Sequence, residues 1–148
     1  HTLMNLQPFS YFYIIETEKD ILESVFYLLK ENNINAFLNP DKGTAEKYMA
    51  ESKNSVVVKQ IISRTPLAPF NKINTPSLEK ILVDIFCDTD IFFYYQGNEL
   101  KNIISNAFRY YQIDYSKFLN YADRRKQKIK IIKYIKDNIM YANLTLLK

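Results

Sequence analysis

Two acidic positions and a lysine could bring metal-dependent chemistry to this chain. Asp41 precedes the sequence ESK, in which Glu51 and Lys53 are separated by one residue. Some metal-dependent nucleases combine an acidic residue with a Glu-x-Lys pair, because two carboxylates hold Mg²⁺ and the lysine steadies the attacking water. In that arrangement the Glu-x-Lys lies inside a strand, whereas here it precedes the predicted strand SVVVK. A Mg-dependent nucleic-acid-processing enzyme is therefore one alternative, and a solvent-exposed helix end is the simpler interpretation.

Other catalytic classes lack the residues that they need. The only histidine is His1, at the very start of the chain, and we exclude it from any site, so Cys–His, Ser–His and His-ligated zinc sites are not expected. The single cysteine, Cys87, follows an apolar helical run and is interpreted as a buried small hydrophobic residue. With Gly43 and Gly97 as its only glycines, the sequence has no glycine-rich phosphate loop. We expect a non-enzymatic protein without catalytic residues, metal ligands or cofactor.

The positive charge is concentrated at the C-terminal end of the chain. The formal net charge is +4, and the residues from 114 onward include nine basic and three acidic ones. Such a run can meet phosphate groups. Within this run, the most specific candidates for a binding patch are Arg124, Arg125 and Lys126, since a guanidinium binds phosphate or carboxylate through two hydrogen bonds. A solvated helix face is the simpler interpretation of the run, and a basic nucleic-acid-binding module is a further alternative.

Aromatic residues cluster in IFFYYQGNEL (91–100) and RYYQIDY (109–115). Exposed rings of this kind can stack on nucleic-acid bases. In a chain without Trp, we interpret them mainly as core residues. The adjacent tyrosine pairs could still leave some rings on a surface that a partner uses.

The segment TPSLEKILVDIF (75–86) predicts a capped helix. Thr75 is the expected N-cap and Pro76 the first helical residue, where its missing N–H removes no hydrogen bond. Glu79 lies near the helix N terminus, where the helix dipole favours a carboxylate, and Lys80 and Asp84 form an i, i+4 pair. One apolar face is predicted to contact the core, and it consists of Leu78, Ile81, Leu82, Ile85 and Phe86.

The remaining pattern predicts an α+β fold. Strands are predicted at 9–16, 35–40 and 55–63, with a fourth short strand near Ile73. Helices are predicted at 21–30, within 41–52, at 78–86, at 99–110 and from Asp114 or Ser116 to about Ile139, the last with Ile129, Ile132, Ile135 and Ile139 on its core face. We expect a small mixed β-sheet of 3–4 strands with packed helices in the N-terminal half and a helical C-terminal half, in a single domain covering 1–148. No apolar run approaches the roughly 18 residues that span a bilayer, and no signal peptide is recognised, so a cytoplasmic protein without membrane contact is expected.

Three segments carry a resemblance to a known family. SRTPL (63–67), TPSLEKILVDIF and YYQIDYSKFLNYADRRKQ (110–127) resemble the AbiEi-like antitoxins of type IV abortive-infection toxin–antitoxin systems, in a Bacteroidetes-type branch. The resemblance covers roughly residues 10 to 138. Its strongest elements are the Thr-Pro-x-Leu-Glu-Lys-x-Leu-Val-Asp helix and the Tyr-Ala-x-Arg-Arg turn.

This resemblance implies a phage-defence function. Such proteins combine an N-terminal winged-helix domain, which binds operator DNA and represses transcription, with a C-terminal antitoxin domain. The antitoxin domain opposes a nucleotidyltransferase-like toxin, and this antagonism does not require a stable complex. No helix-turn-helix is predicted in residues 1–148, so we expect the C-terminal antitoxin-type domain alone, with operator DNA bound through a domain outside this segment.

The polar residues that match the family's signature by position are Glu79, Lys80, Asp84, Arg124 and Arg125. Together with Lys126, they form the predicted partner or nucleic-acid surface. An aspartate in mid-helix has low propensity and needs a reason to be there. We hypothesise that Asp84 pairs with Arg124 or Arg125 and so joins the two signature segments.

Overall fold

The structure is a computed structural model that describes residues 3–4, 11–49, 52, 54–71, 73–140, 142–143 and 145–147. Internal contacts divide the chain into two compact units. The N-terminal unit is Pro8–Ile61, and the C-terminal unit is Ile62–Lys148 with His1–Gln7. Each unit has its own small sheet. The single domain expected over 1–148 stays a prediction.

The N-terminal unit is built on a three-stranded parallel sheet in the order β1-β3-β2. Its strands are β1 (Phe12–Thr17), β2 (Ala36–Leu38) and β3 (Ser55–Gln60). Residues 55 to 59 of the central strand are buried, as the three consecutive valines predicted for a strand covered on both faces. The predicted strand at 9–16 is confirmed from Phe12, and its first two residues lie outside the described part.

Helices connect these parallel strands. A 3₁₀ turn at Lys19–Ile21 leads into α1 (Leu22–Glu31), and α2 (Lys42–Thr44) continues into a π-helical turn at Ala45–Met49. Asp41 caps α2 by accepting a hydrogen bond from the Thr44 N–H at 2.7 Å. Parallel strands need such crossover connections, because a tight hairpin can join only antiparallel neighbours.

The C-terminal unit begins with a β-hairpin and continues with four helices. Strands β4 (Leu67–Phe70) and β5 (Ile73–Pro76) are antiparallel. The helices are α3 (Leu78–Cys87), α4 (Asn98–Tyr110), α5 (Tyr115–Arg124) and α6 (Lys128–Asn138), with a 3₁₀ turn at Phe93–Tyr95 before α4. The predicted α+β class is confirmed, and its strands form one parallel and one antiparallel sheet.

The start of the third helix differs from the prediction. Thr75 and Pro76 belong to β5, where Thr75 pairs with Ala68 in the register and its hydroxyl donates to the Ala68 carbonyl at 2.9 Å. Ser77 is the N-cap instead, and its hydroxyl oxygen accepts from the Lys80 N–H at 3.4 Å. Thr75 and Pro76 do not begin the helix as their sequence predicted, because both are paired with β4 in the hairpin.

A long helix over 114–139 was predicted, and this prediction is wrong. Asp114 caps α5 as expected, but α5 ends at Arg124 and α6 starts at Lys128. Between them the Lys126 backbone has a φ of +55°. The Lys126 N–H donates to the Asp123 carbonyl at 2.8 Å, and the Gln127 N–H donates to the Ala122 carbonyl at 2.9 Å. These two bonds are those of a Schellman motif, which ends a helix with a left-handed residue.

This break changes which isoleucines contact the core. Ile129 is 84% exposed, although it was predicted on the buried face. The residues of α6 and its end that are buried are Ile131, Ile135 and Ile139, which recur every four residues. In α3, Ile81 is 37% exposed although it was predicted on the core face, and Val83 is buried instead. The apolar stripe of α4 is buried as predicted, at Leu100, Ile103, Ile104, Ala107 and Phe108.

One hydrophobic core holds the four helices of the C-terminal unit together. It is formed by buried side chains from every helix and from the segment after α6. Its largest fully buried members are Tyr121, Phe118, Leu82, Ile103, Ile104, Ile131, Ile135 and Leu147. Because α3 packs directly against α5 in this core, polar side chains on the two helices come within hydrogen-bonding distance.

Candidate functional site

The polar side chains of α3 face inward rather than toward solvent. Lys80 is 2% exposed, Asp84 is 6% exposed, and Glu79 is also buried. A charged group in such a place is strongly destabilised unless other charges and hydrogen bonds satisfy it. The surroundings of these three residues therefore decide what they contribute.

Asp84 receives three donors through its two carboxylate oxygens. Oδ2 is hydrogen-bonded to the ammonium of Lys80, one helical turn earlier. Oδ1 accepts from the Tyr121 hydroxyl at 2.8 Å and from Nη1 of Arg125 at 3.0 Å. The hypothesised pair between Asp84 and one of the two arginines is confirmed, and the partner is Arg125. This contact joins the two signature segments across 41 residues of sequence.

Arg125 also contacts a second carboxylate. Its Nη2 donates to Oδ1 of Asp88, and its Nη1 lies 3.3 Å from Oδ2 of Asp88. Asp88 is the C-cap of α3, a position where the helix dipole disfavours a negative charge. Burial opposes the charge of Arg125, but hydrogen bonding to Asp88 and the charges of Asp88 and Asp84 outweigh it and raise the arginine pKa above its ordinary value.

Tyr121 is almost completely buried between these groups. Its hydroxyl donates to Asp84, and the Lys80 ammonium lies 5.6 Å from the centre of its ring. Burial and the neighbouring charge of Asp84 raise the pKa of Tyr121 to about 12. We call the five residues Lys80, Asp84, Asp88, Tyr121 and Arg125 the Asp84 network.

Glu79 makes a separate connection between the same two helices. Its Oε1 accepts from the backbone N–H of Asp114, the N-cap of α5, at 3.0 Å. Burial opposes its charge, but the hydrogen bonds from Asp114 and Ser77 outweigh this effect and lower its pKa. Glu79 thus contacts the start of α5, and the Asp84 network contacts its end. Together they fasten α3 along the length of α5.

A basic groove lies beside the network on the exposed side of α5. It has a volume of about 450 Å³ and extends between α5 and the base of the hairpin. Its cationic residues are Arg64, Lys117 and Arg124, and its polar ones include Ser77, Asn120 and Tyr121. None of the described residues that line this groove is acidic.

The predicted surface residues therefore divide into two groups. Glu79, Lys80 and Asp84 are buried, and Arg125 is held by two aspartates. Arg124 and Lys126 are exposed, and Arg124 lines the basic groove. A partner surface on all six residues stays a prediction. The buried residues could contribute to it only indirectly, by fixing the position of α5 and of the turn that follows.

The sequence contained a signal for two network residues that the prediction missed. Asp88 lies four residues after Asp84, and Tyr121 lies four residues before Arg125. Residues four apart share a helix face, so Lys80, Asp84 and Asp88 form a row on α3 that meets Tyr121 and Arg125 on α5. Arg64 carried no comparable signal, because it comes near α5 only through the tertiary fold.

The other sequence-based candidates have separate outcomes. Asp41 serves as the cap of α2, and the Glu51 and Lys53 of the nuclease alternative lie outside the described residues. Among the residues that the structure describes, no group of three or more His, Cys, Asp or Glu side chains could hold a metal ion. Lysines of the basic run at 126, 130 and 133 are exposed.

The aromatic segments are divided between core and surface. Of the seven rings in these segments, only Phe92, Tyr95 and Tyr115 pack against the core, fewer than predicted. Tyr110 and Tyr111 are exposed, so this adjacent pair does leave rings on the surface. In the described part of the chain, no helix combines the length and apolar character needed to cross a membrane.

Comparison with known proteins gives a family for this chain. A family model described as "Family of unknown function (DUF6577)" matches residues 1–141. Neither the search of curated proteins nor the search of solved structures found a match.

Proposed function

This chain belongs to DUF6577, a family of unknown function, and we propose that it is a non-enzymatic regulatory domain of the antitoxin type. It would act as part of a transcriptional regulator in a type IV toxin–antitoxin system, in the cytoplasm, and oppose a nucleotidyltransferase-like toxin. Operator DNA would be bound by a further, winged-helix domain. The proposal rests on the resemblance of the segments that contain α3 and the end of α5.

One observation supports a binding domain over a catalytic one. Glu79, Asp84 and Arg125 join α3 to α5. The carboxylate of Asp84 is occupied by Lys80, Tyr121 and Arg125. A general base or a metal ligand needs a carboxylate that can reach a substrate or an ion. The geometry of Asp84 instead suits a fixed scaffold, on which an exposed surface meets a partner.

The basic groove is an exposed polar surface next to this scaffold, since Tyr121 belongs to both. Arg124 belongs to the Tyr-Ala-x-Arg-Arg turn and lines the groove, while its neighbour Arg125 is held in the network. Arg125 thus stabilises the fold, and Arg124 is available to a partner. We propose that antitoxin activity requires Arg124 at this surface.

Growth rescue tests the proposed function. The neighbouring open reading frame is expressed from an inducible promoter, alone and together with this chain. We expect the neighbour to stop growth and the wild-type chain to restore it. The Arg124→Ala variant should rescue less well, whereas the matched control Lys130→Ala, which removes an exposed positive charge from α6, should rescue like the wild type.

Two results would contradict the proposal. The first is a neighbour that does not affect growth. The second is a toxic neighbour that is not opposed by the soluble, folded wild-type chain. Immunoblotting and circular dichroism of the purified variants show whether a failed rescue reflects lost protein or lost function.

A further inference from the structure

The basic groove combines features of α5 and of the hairpin base in one concave site. Lys117, Asn120, Tyr121 and Arg124 recur along α5 at a spacing of three or four residues, so all of them face the same way. Arg64 approaches from the turn before β4, where its backbone has a φ of +53°. The volume of the groove, about 450 Å³, lies within the usual range of small-molecule sites, roughly 300–1,000 Å³.

Three cations are brought together here without an acidic side chain in the lining. The carboxylate of Asp114 lies 3.5 Å from the Lys117 ammonium and offsets part of its charge. Arg64 and Arg124 have exposed side chains that can present a planar pair of N–H donors. Clefts lined by one sign of charge concentrate the field and attract ligands of the opposite sign.

The carboxylates below the groove do not cancel this charge. Asp84 and Asp88 are neutralised within the network by Lys80 and Arg125. The four groups sum to zero formal charge. The network therefore holds α5 in place and leaves the field of Arg64 and Arg124 available to a ligand, while Lys117 is shared with Asp114.

Uncharged polar groups complete the lining. The Asn120 amide lines the groove, where it can donate a hydrogen bond to an oxyanion, whereas the Ser77 hydroxyl is already hydrogen-bonded to Glu79. Thr65 also lines the groove, and its hydroxyl lies beside that of Tyr121.

From these observations we infer that the basic groove binds the phosphate groups of a nucleotide. A terminal phosphate has three exposed oxygens and up to two negative charges. It therefore fits a groove with three cations and an amide donor better than a carboxylate, which has two oxygens and one charge. The groove could receive this phosphate from a free nucleotide or from a single strand of nucleic acid. This inference shares one premise with the proposed function, namely that the basic groove is the surface that binds a partner. It does not require that a toxin exists.

Binding by the purified full chain tests the inference. The probes are a fluorescent ATP analogue, a fluorescein-labelled ten-nucleotide oligo(dT) and, for comparison, a labelled oligoglutamate peptide, each followed by anisotropy at low salt. We expect saturable binding of a phosphate probe that is weakened at least tenfold by the double variant Arg64→Ala/Arg124→Ala. The matched control Lys130→Ala/Lys133→Ala removes the same charge from the exposed face of α6 and should change the affinity less than twofold.

The competition pattern identifies the source of the phosphate. Displacement of the oligonucleotide by unlabelled ATP at similar concentrations would assign the groove to free nucleotides. Binding of the oligonucleotide alone, with an affinity that falls steeply with salt, would assign it to a nucleic-acid strand. Either result supports the inference.

Three results would overturn it. These are no binding of either phosphate probe, equal weakening by the two double variants, and tighter binding of oligoglutamate than of both phosphate probes. The second result would show non-specific attraction to net charge, and the third would indicate an acidic protein partner. Because these measurements use purified protein without a toxin, their failure is distinguishable from a failure of growth rescue.

Discussion

Asp84 and Arg125 are 41 residues apart in sequence, and their Oδ1 and Nη1 atoms are 3.0 Å apart. Each also contacts another ion of opposite charge, Lys80 for the aspartate and Asp88 for the arginine. A buried ion pair contributes little compared with a well-packed apolar pair, but removal of one partner leaves an uncompensated charge in the interior. The network is therefore best tested by removing single members of it.

The adjacent arginines should differ strongly in their effect on stability. Arg125→Ala leaves Asp84 and Asp88 without their shared cation, and we expect the free energy of unfolding to fall by about 3–5 kcal/mol. Arg124→Ala removes an exposed side chain and should change it by less than about 0.5 kcal/mol. Urea unfolding followed by circular dichroism measures both. Equal effects of the two variants would show that Arg125 is not held as the structure describes.

Alkaline pH should weaken the protein partly through Tyr121. The pKa of this tyrosine is about 12 in the folded chain and about 10 when unfolded, so the unfolded state loses its proton first. The stabilisation from the neutral phenol is complete below pH 10 and is lost as the pH rises toward 12. The phenylalanine variant Tyr121→Phe should lack this part of the decline, although it loses the hydrogen bond to Asp84, worth about 1.5–3 kcal/mol.

Unfolding curves between pH 8 and 11.5 compare the two proteins. The stability difference between wild type and Tyr121→Phe should shrink with rising pH. The exposed Tyr110→Phe serves as the control for removal of a tyrosine hydroxyl and should give only a small difference. A difference for Tyr121→Phe that stays constant across this pH range would contradict the placement of its hydroxyl against a buried carboxylate.

Acid should weaken the connection made by Glu79. Its pKa is lowered in the folded chain, so its stabilising effect is present above the unfolded value of about 4.3 and disappears as the pH falls through the folded value. Glu79→Gln should lower the free energy of unfolding by about 1 kcal/mol at pH 7. The difference should shrink as the pH falls below the unfolded value, and the exposed Asp137→Asn provides a control for general charge effects. A difference at pH 7 that persists unchanged at pH 3 would show that the Glu79 charge is not involved.

The turn between α5 and α6 should accept glycine. Lys126 occupies the left-handed position of the Schellman motif, where a side chain costs about 1 kcal/mol and glycine costs nothing sterically. We expect Lys126→Gly to raise the thermal midpoint, and Lys126→Val to lower it because a β-branched residue is strained at positive φ. A lower midpoint for both variants would instead favour the continuous helix that the sequence pattern predicted.

Local signals in the sequence were sufficient for several elements. The three valines at positions 56–58 indicated a buried central strand, and the stripe from Leu100 to Phe108 indicated both α4 and its buried face. Lys80 and Asp84 could be paired from their spacing alone. These features depend on residues that are close in sequence, so propensity and periodicity describe them well.

Tertiary structure decided the features that join distant residues. It selected Arg125 rather than Arg124 as the partner of Asp84, because only the packing of α3 on α5 determines which side of α5 faces inward. It also placed Thr75 in a hairpin and ended α5 at Arg124, since strand pairing and the Schellman bonds outweighed weaker local preferences. The sequence alone thus determined most of the helices and strands and identified Asp84 as the residue in need of a partner. The network and the basic groove arise only when α3, α5 and the hairpin base come together, because ion pairs between separate helices depend on distances that spacing along the chain does not specify.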